Sequence, residues 1–308
     1  MIDHVRLHFI IFLWGFTAVL GDLISLPAPQ MVIWRTGIAW VMMGMLTRND
    51  VMPARERWLC IGIGSLVGIH WLLFFLAVKI ASVSVCMIGM ATTSMWTAIL
   101  EPMIVREKSF RMLDGLFGAL MIGAVAVIVG GQAGIATGLF VSIGAAFVGT
   151  LFSILNVFVA GRHRPLLIAR YEMLGATAVC AIGLPALMLV GVGVPETPGA
   201  SLLEYCGLVP RGLDWGWLFL LSSVCTVFAY TQYVDLVRRL SVFVINFATN
   251  LEPVYGLLLG AILLGEYRGL NGWFYLGAAL IAGLVAAYPL VTGVARWKRL
   301  RQGDPSAT

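Results

Sequence analysis

Glu252 is the first candidate for chemistry in this sequence, because it interrupts an apolar run from Asn246 to Glu266 (NFATNLEPVYGLLLGAILLGE) long enough to cross a bilayer. At about 100° per residue, Asn246, Thr249, Asn250, Glu252 and Pro253 share one arc with Gly256 and Gly260, opposite Phe247, Leu251, Tyr255 and Leu258. Pro253 has no N–H, so the Thr249 carbonyl loses its helical partner and turns to the polar side. A carboxyl held there, away from bulk water, could take up and release a proton, and Glu252 is assigned proton coupling on that basis. The competing reading is a kinked helix whose amides bond a neighbouring helix.

Other polar and aromatic residues fall inside apolar stretches: Trp14, His70 and Trp71, Thr93 and Trp96, Asn156, Tyr230, and the amides Asn246 and Asn250. Together they are expected to line a binding surface for a small molecule, the rings supplying apolar area and stacking, the amides and hydroxyls fixing orientation. That mixture suits an aromatic or amphipathic substrate better than a sugar or a naked ion. Arg170 and Glu172, in ARYE, together with Glu101, are candidates for a gate or for an ion pair at a cytoplasmic rim. No GxxxxGK[ST] phosphate loop is present, which argues against ATP-driven work by this chain alone. Neither HExxH nor GxSxG occurs, so an intramembrane enzyme using His70, Glu101, Glu172 and Glu252 is the weaker alternative. A non-transporting receptor or assembly subunit is the third class. No cofactor or metal is expected: Cys60, Cys86, Cys180, Cys206 and Cys225 form no CxxC pair.

The elements that must position these residues are membrane helices. Of 308 residues, 60% are hydrophobic and 11% charged, a balance outside the soluble range. Ten apolar segments can be marked, roughly Leu7 to Ile24, Gln30 to Thr47, Trp58 to Val78, Val83 to Val105, Met112 to Gly130, Gly138 to Val159, Leu166 to Val190, Trp215 to Val234, Val242 to Leu264 and Gly272 to Thr292. The first lacks a small-residue cleavage site and reads as a signal anchor. With the amino terminus in the cytoplasm, sixteen Lys and Arg residues fall on that side, and only Arg35, Lys79, Arg211 and Arg268 on the other. Both termini are therefore expected in the cytoplasm, with Glu196 to Asp214 outside and the chain in the inner membrane. The net charge of +5 encodes this topology and implies no nucleic-acid partner. Arg35 lies close enough to the outer boundary to snorkel.

A shift of 159 residues pairs Ser82 with Ser241, Val83 with Val242, Val85 with Val244, Thr93 with Glu252 and Glu107 with Glu266. A shift of 135 pairs Ile33 with Ile168 and Arg35 with Arg170. The order of these matches points to a duplication into residues 1–131 and 132–295, followed by a basic tail, 296–308. Five helices per copy, an odd number, make the repeats inverted, an architecture in which substrate binds near mid-bilayer between the halves.

FLWGFTAVLG, the Arg of WRTG and of ARYE, and the Pro253 to Glu266 spacing together resemble the EamA type of the drug/metabolite transporter superfamily, over nearly the whole chain. The first half departs from that pattern with Ser94 where Pro is common. The resemblance implies a ten-helix carrier working by alternating access. Its cavity would be lined by the first, third, fourth, sixth, eighth and ninth helices. Export of an amino acid or similar small metabolite is expected, with protons as the candidate coupling ion and a monomer or homodimer as the unit.

Overall fold

In hydrocarbon the backbone has no water to bond, so spanning segments must satisfy their N–H and C=O groups internally. The computed structural model describes residues 2–105, 112–131, 135–194, 201–240, 245, 248–249 and 251–301, and among them there is helix and no strand. In chain order the helices are α1 (Ile2–Leu23), α2 (Ala28–Leu46), α3 (Ala54–Ile80), α4 (Val83–Met90), α5 (Thr93–Ile104), α6 (Met112–Gly131), α7 (Ala136–Asn156) and α8 (Pro165–Leu189). There follow a single turn α9 (Leu202–Tyr205), α10 (Asp214–Ser222), α11 (Ala229–Val237), α12 (Glu252–Leu263) and α13 (Gly272–Arg301). A π-helical turn, Ser223–Phe228, joins α10 to α11.

Among the described residues, six spans are long and apolar enough to cross a membrane: α1, α3, α4 with α5, α7, α8, and α10 through α11. The remaining expected segments are helical along α2, α6, α12 and α13. Large apolar side chains face outward, and several polar or charged ones are buried within a mainly apolar core. Phe9, Phe140, Ile182, Leu189, Phe219 and Ile262 are exposed, whereas Gln30, Arg35, Asn156 and Glu172 are buried. So apolar an exterior is what a lipid solvent selects, and the chain is an all-α multi-pass membrane protein.

Prolines begin several helices, where no N–H is required of them: Pro29 in α2, Pro165 in α8 and Pro253 in α12. Pro253 thus restarts a helix in its own first turn and does not kink a continuous one. A second break, at Ala91 and Thr92, has no proline. There the Thr92 hydroxyl donates to the Gly89 carbonyl (2.7 Å) and the Thr93 hydroxyl to that of Met90 (2.6 Å), bonding carbonyls at the interruption. Helix resumes at Thr93 in one case and at Glu252 in the other, and 252 − 93 = 159, the shift found in the sequence.

α3 packs against α8 and α7, α2 against α8, α1 against α12, and α6 against α13. Because lipid tails are as apolar as Leu, contact is driven by close approach, and small residues permit it. On α3, Gly64 and Gly68 lie four apart. A Cβ at Gly64 would stand 2.5 Å from Glu172 Cα, and one at Gly68 would stand 2.8 Å from Ala176 Cα. At the end of α12, Gly265 takes a left-handed conformation (φ 66°), which any side chain would disfavour. The reversal brings the Glu266 carboxylate to the start of α4, where it accepts from the Val83 and Ser84 amides (2.8 Å each) and from the Ser84 hydroxyl.

Candidate functional site

Where α1, α2, α3, α7, α11 and α12 meet the α4–α5 break, they enclose a cavity of about 70 Å³. Of the residues singled out from sequence, Trp14, His70, Trp71, Thr93, Tyr230 and Glu252 line it. Thr17, Arg35, Phe74, Met90, Gly149, Phe152, Ser153, Tyr233 and Thr249 complete the wall.

The aromatic side is a linked set of edge-to-face contacts. Trp14 meets Tyr233 at 5.4 Å, Trp71 meets Tyr230 at 5.8 Å, and His70 meets Phe152 at 5.4 Å between ring centres. The His70 Nδ1 lies 2.8 Å from the Ala145 carbonyl; since a carbonyl only accepts, Nδ1 carries the hydrogen. Gly149 makes room for this ring, because a Cβ there would fall 2.9 Å from Nδ1. The Tyr233 hydroxyl donates to Ser153 at 3.0 Å.

The charged side is a pair held in the same space. Arg35 is 1% exposed; its Nε donates to the Thr226 hydroxyl (2.8 Å) and its guanidinium stacks on Trp71 at 3.7 Å, but Nη1 has no partner. Thr226 sits on the π turn, where its hydroxyl in turn donates to Leu221, five residues back (2.8 Å). Glu252, 8% exposed, is the first residue of α12, where unpaired N–H groups and the helix dipole favour a negative group. Arg35 and Glu252 act on each other electrostatically but form no ion pair within 4.0 Å among the described residues. A cationic donor and an anionic acceptor, separated yet sharing one aromatic-walled space, form a receptor for a molecule carrying complementary groups. A cavity of about 70 Å³ holds a few waters, whereas ligand pockets span roughly 300–1,000 Å³.

Other sequence candidates are placed elsewhere. Trp96 packs on Phe147 at 5.0 Å, outside the cavity wall, with its indole N–H unpartnered. Asn156 lies behind Tyr230, donating to its hydroxyl at 3.4 Å. Asn246 and Asn250 lie outside the described residues. Glu101 stands near the end of α5, away from the cavity. Arg170 does not pair with Glu172: its Nη1 reaches the Thr47 carbonyl and hydroxyl (3.4 and 3.3 Å), while Glu172 is wholly buried and not at a rim.

Arg35 is the chief residue of the site beyond those expected from sequence. Its distance from the boundary suggested snorkelling, but the ring of Trp71 and the hydroxyl of Thr226 hold it inside. An Arg within an apolar segment was the available signal. Tyr233 could have been found from its spacing, one turn after Tyr230.

No family model and no curated protein matches this chain. A solved structure described only as "Crystal structure of protein" superposes on it with a TM-score of 0.64, covering 94% of this chain and 98% of that chain at 14% identity. At that identity the likeness shows a shared fold alone.

Proposed function

We propose that this protein is a secondary carrier that exports a small amphipathic metabolite bearing both charges, such as an amino acid or a derivative, by alternating access. The observation that carries this reading is the placing of Arg35 and Glu252, unpaired with each other, across an aromatic cavity inside a membrane bundle. A carboxylate on the substrate would take the free Arg35 Nη1, an ammonium would take Glu252, and Trp14, Trp71 and Tyr230 would cover the apolar part. The cavity is too small for such a molecule as it stands, so binding requires the surrounding helices to separate, and alternating access supplies that movement.

In this reading the ten helical segments are ten spans in two inverted five-helix repeats, of the EamA type, in the inner membrane with both termini cytoplasmic. The breaks before Thr93 and Glu252, 159 residues apart, support the repeat, since each interrupts a helix at the depth of the cavity. Glu252 is the proton-coupling group. Ionised, it holds the substrate ammonium; protonated, it releases it.

Reconstituted vesicles test this directly with a panel of labelled aromatic and aliphatic amino acids. Glu252→Gln keeps size but can neither titrate nor offer an ammonium its carboxylate, so proton-driven accumulation should vanish and exchange of labelled for unlabelled substrate should weaken with it. Failure of the native protein to move any member of the panel sinks the carrier reading. Proton-driven accumulation at native level by Glu252→Gln sinks both roles given to Glu252, ammonium partner and coupling group, and leaves the carrier reading standing.

A further inference from the structure

Behind the cavity wall, three side chains from three helices meet out of contact with solvent: Asn156 at the end of α7, Glu172 on α8 and Tyr230 on α11, at 0%, 0% and 1% exposure. Asn156 Nδ2 donates to the Tyr230 hydroxyl at 3.4 Å. The Glu172 carboxyl stands beside both groups, and both its oxygens are without a hydrogen-bond partner of good geometry. Asn156 Oδ1 is unpartnered as well. Three buried acceptor atoms thus face a cluster short of one donor. Buried polar groups are rarely left so, and an ionised carboxylate without a partner is the costliest form of it.

A single hydrogen ion supplies what is missing. Taken from solvent onto one Glu172 oxygen, it makes an O–H that can donate to Asn156 Oδ1. Asn156 Nδ2 already donates to the Tyr230 oxygen, and the Tyr230 O–H can donate to the other Glu172 oxygen, closing a ring of three hydrogen bonds. We propose that Glu172, Asn156 and Tyr230 form a proton-binding site separate from Glu252, with Glu172 taking the proton and Tyr230, whose ring lines the cavity, connecting it to the cavity's contents. In the protonated state the ring ties α7, α8 and α11 together; loss of the proton leaves a charge that only water or an opened bundle can accommodate.

The other titratable side chains acting on Glu172 among the described residues are Cys60 of α3 and Tyr233 of α11. The charge on α2, Arg35, acts on Glu252, and Arg170 turns to Thr47. Neither supplies the missing donor. The site rests on these side chains and not on the transport reading, so it stands or falls without any substrate.

Infrared difference spectroscopy of the purified full-length protein in lipid discs, stepped from neutral to alkaline pH, reads the site directly. Glu252→Gln is used as background to silence the cavity carboxyl. The neutral sample should show a protonated-carboxyl C=O band that is lost on alkalinisation and is missing from Glu252→Gln/Glu172→Gln. In Glu252→Gln/Tyr230→Phe the band should move to higher wavenumber, because the carbonyl has lost its donor. Gln can reproduce the bonds of a protonated Glu, and Tyr230→Phe deletes one hydroxyl. If the first variant does not yield folded protein, the second still decides. Absence of a protonated-carboxyl band at neutral pH, or a band indifferent to either substitution, overturns the proposal.

Discussion

Gly64→Ala adds one methyl group where α3 and α8 lie in close contact, the helices that carry His70, Trp71 and Glu172. The new Cβ would lie 2.5 Å from Glu172 Cα and 2.6 Å from its carbonyl carbon. Non-bonded carbons rest at about 3.5–4.0 Å, so the helices must part by roughly 1 Å. A radial gap of that size forfeits about a quarter to a half of the dispersion energy of the atoms around it. Overpacking costs about 1–3 kcal/mol, and the upper end applies because the obstacle is backbone, which cannot rotate away. Ala also gains about 0.5–1 kcal/mol over Gly in helix propensity, and a control on the same helix removes that contribution. Gly62→Ala, also on α3, meets nothing within 4 Å, as does Gly183→Ala on α8. The two α3 variants should therefore differ by about 3 kcal/mol, with Gly62→Ala neutral or stabilised. Reversible unfolding in mixed detergent micelles, followed by helicity, measures the difference. Equal stability of Gly64→Ala and Gly62→Ala would refute the packing argument.

Two further contacts give direct expectations. Gln30 Nε2 donates to the carbonyls of Gly193 (2.6 Å) and Cys206 (2.7 Å), pinning the segment before α10, and Gln30→Leu removes both bonds. At about 1 kcal/mol each, that should speed labelling of the half-buried Cys206 by a membrane-impermeant thiol reagent roughly ten-fold or more, applied from outside in the topology proposed. An unchanged labelling rate counts against the pinning; labelling only after the cytoplasmic face is opened counts against the topology. Glu266→Ala strips the acceptor from the Val83 and Ser84 amides at the start of α4, leaving buried donors unpaired. It should destabilise by about 2 kcal/mol, and Glu266→Gln by less because one acceptor oxygen remains. Unfolding midpoints that do not rank native, Gln, Ala in that order speak against the cap.

The class of the protein and the depth at which its chemistry lies are legible in the order of its amino acids alone. Apolar runs of about 20 residues must be helical in lipid, because each backbone group has to find its partner within the segment, and that requirement is local. Glu252, His70 and Trp71 could be picked out for the same reason: a polar or charged residue in such a run is costly wherever the helix faces, so the cost is legible without a fold. Which residues share one cavity is a different question, since it depends on how each helix is rotated about its axis, and only its partners set that. The breaks before Thr93 and Glu252 and the π turn at Ser223–Phe228 reset the rotation of everything after them; one extra residue in a turn swings later side chains by about 100°. The π turn places Thr226 against Arg35, and Trp71 reaches the same guanidinium from α3. Nothing in the local pattern of WRTG foretells that pairing. The same holds for Asn156, whose helix face was legible from its spacing with Gly149 and Ser153. The tertiary packing turned Gly149 and Ser153 to the cavity and set Asn156 one layer behind Tyr230, against Glu172, because α7 approaches α3 closely where Gly149 admits the ring of His70.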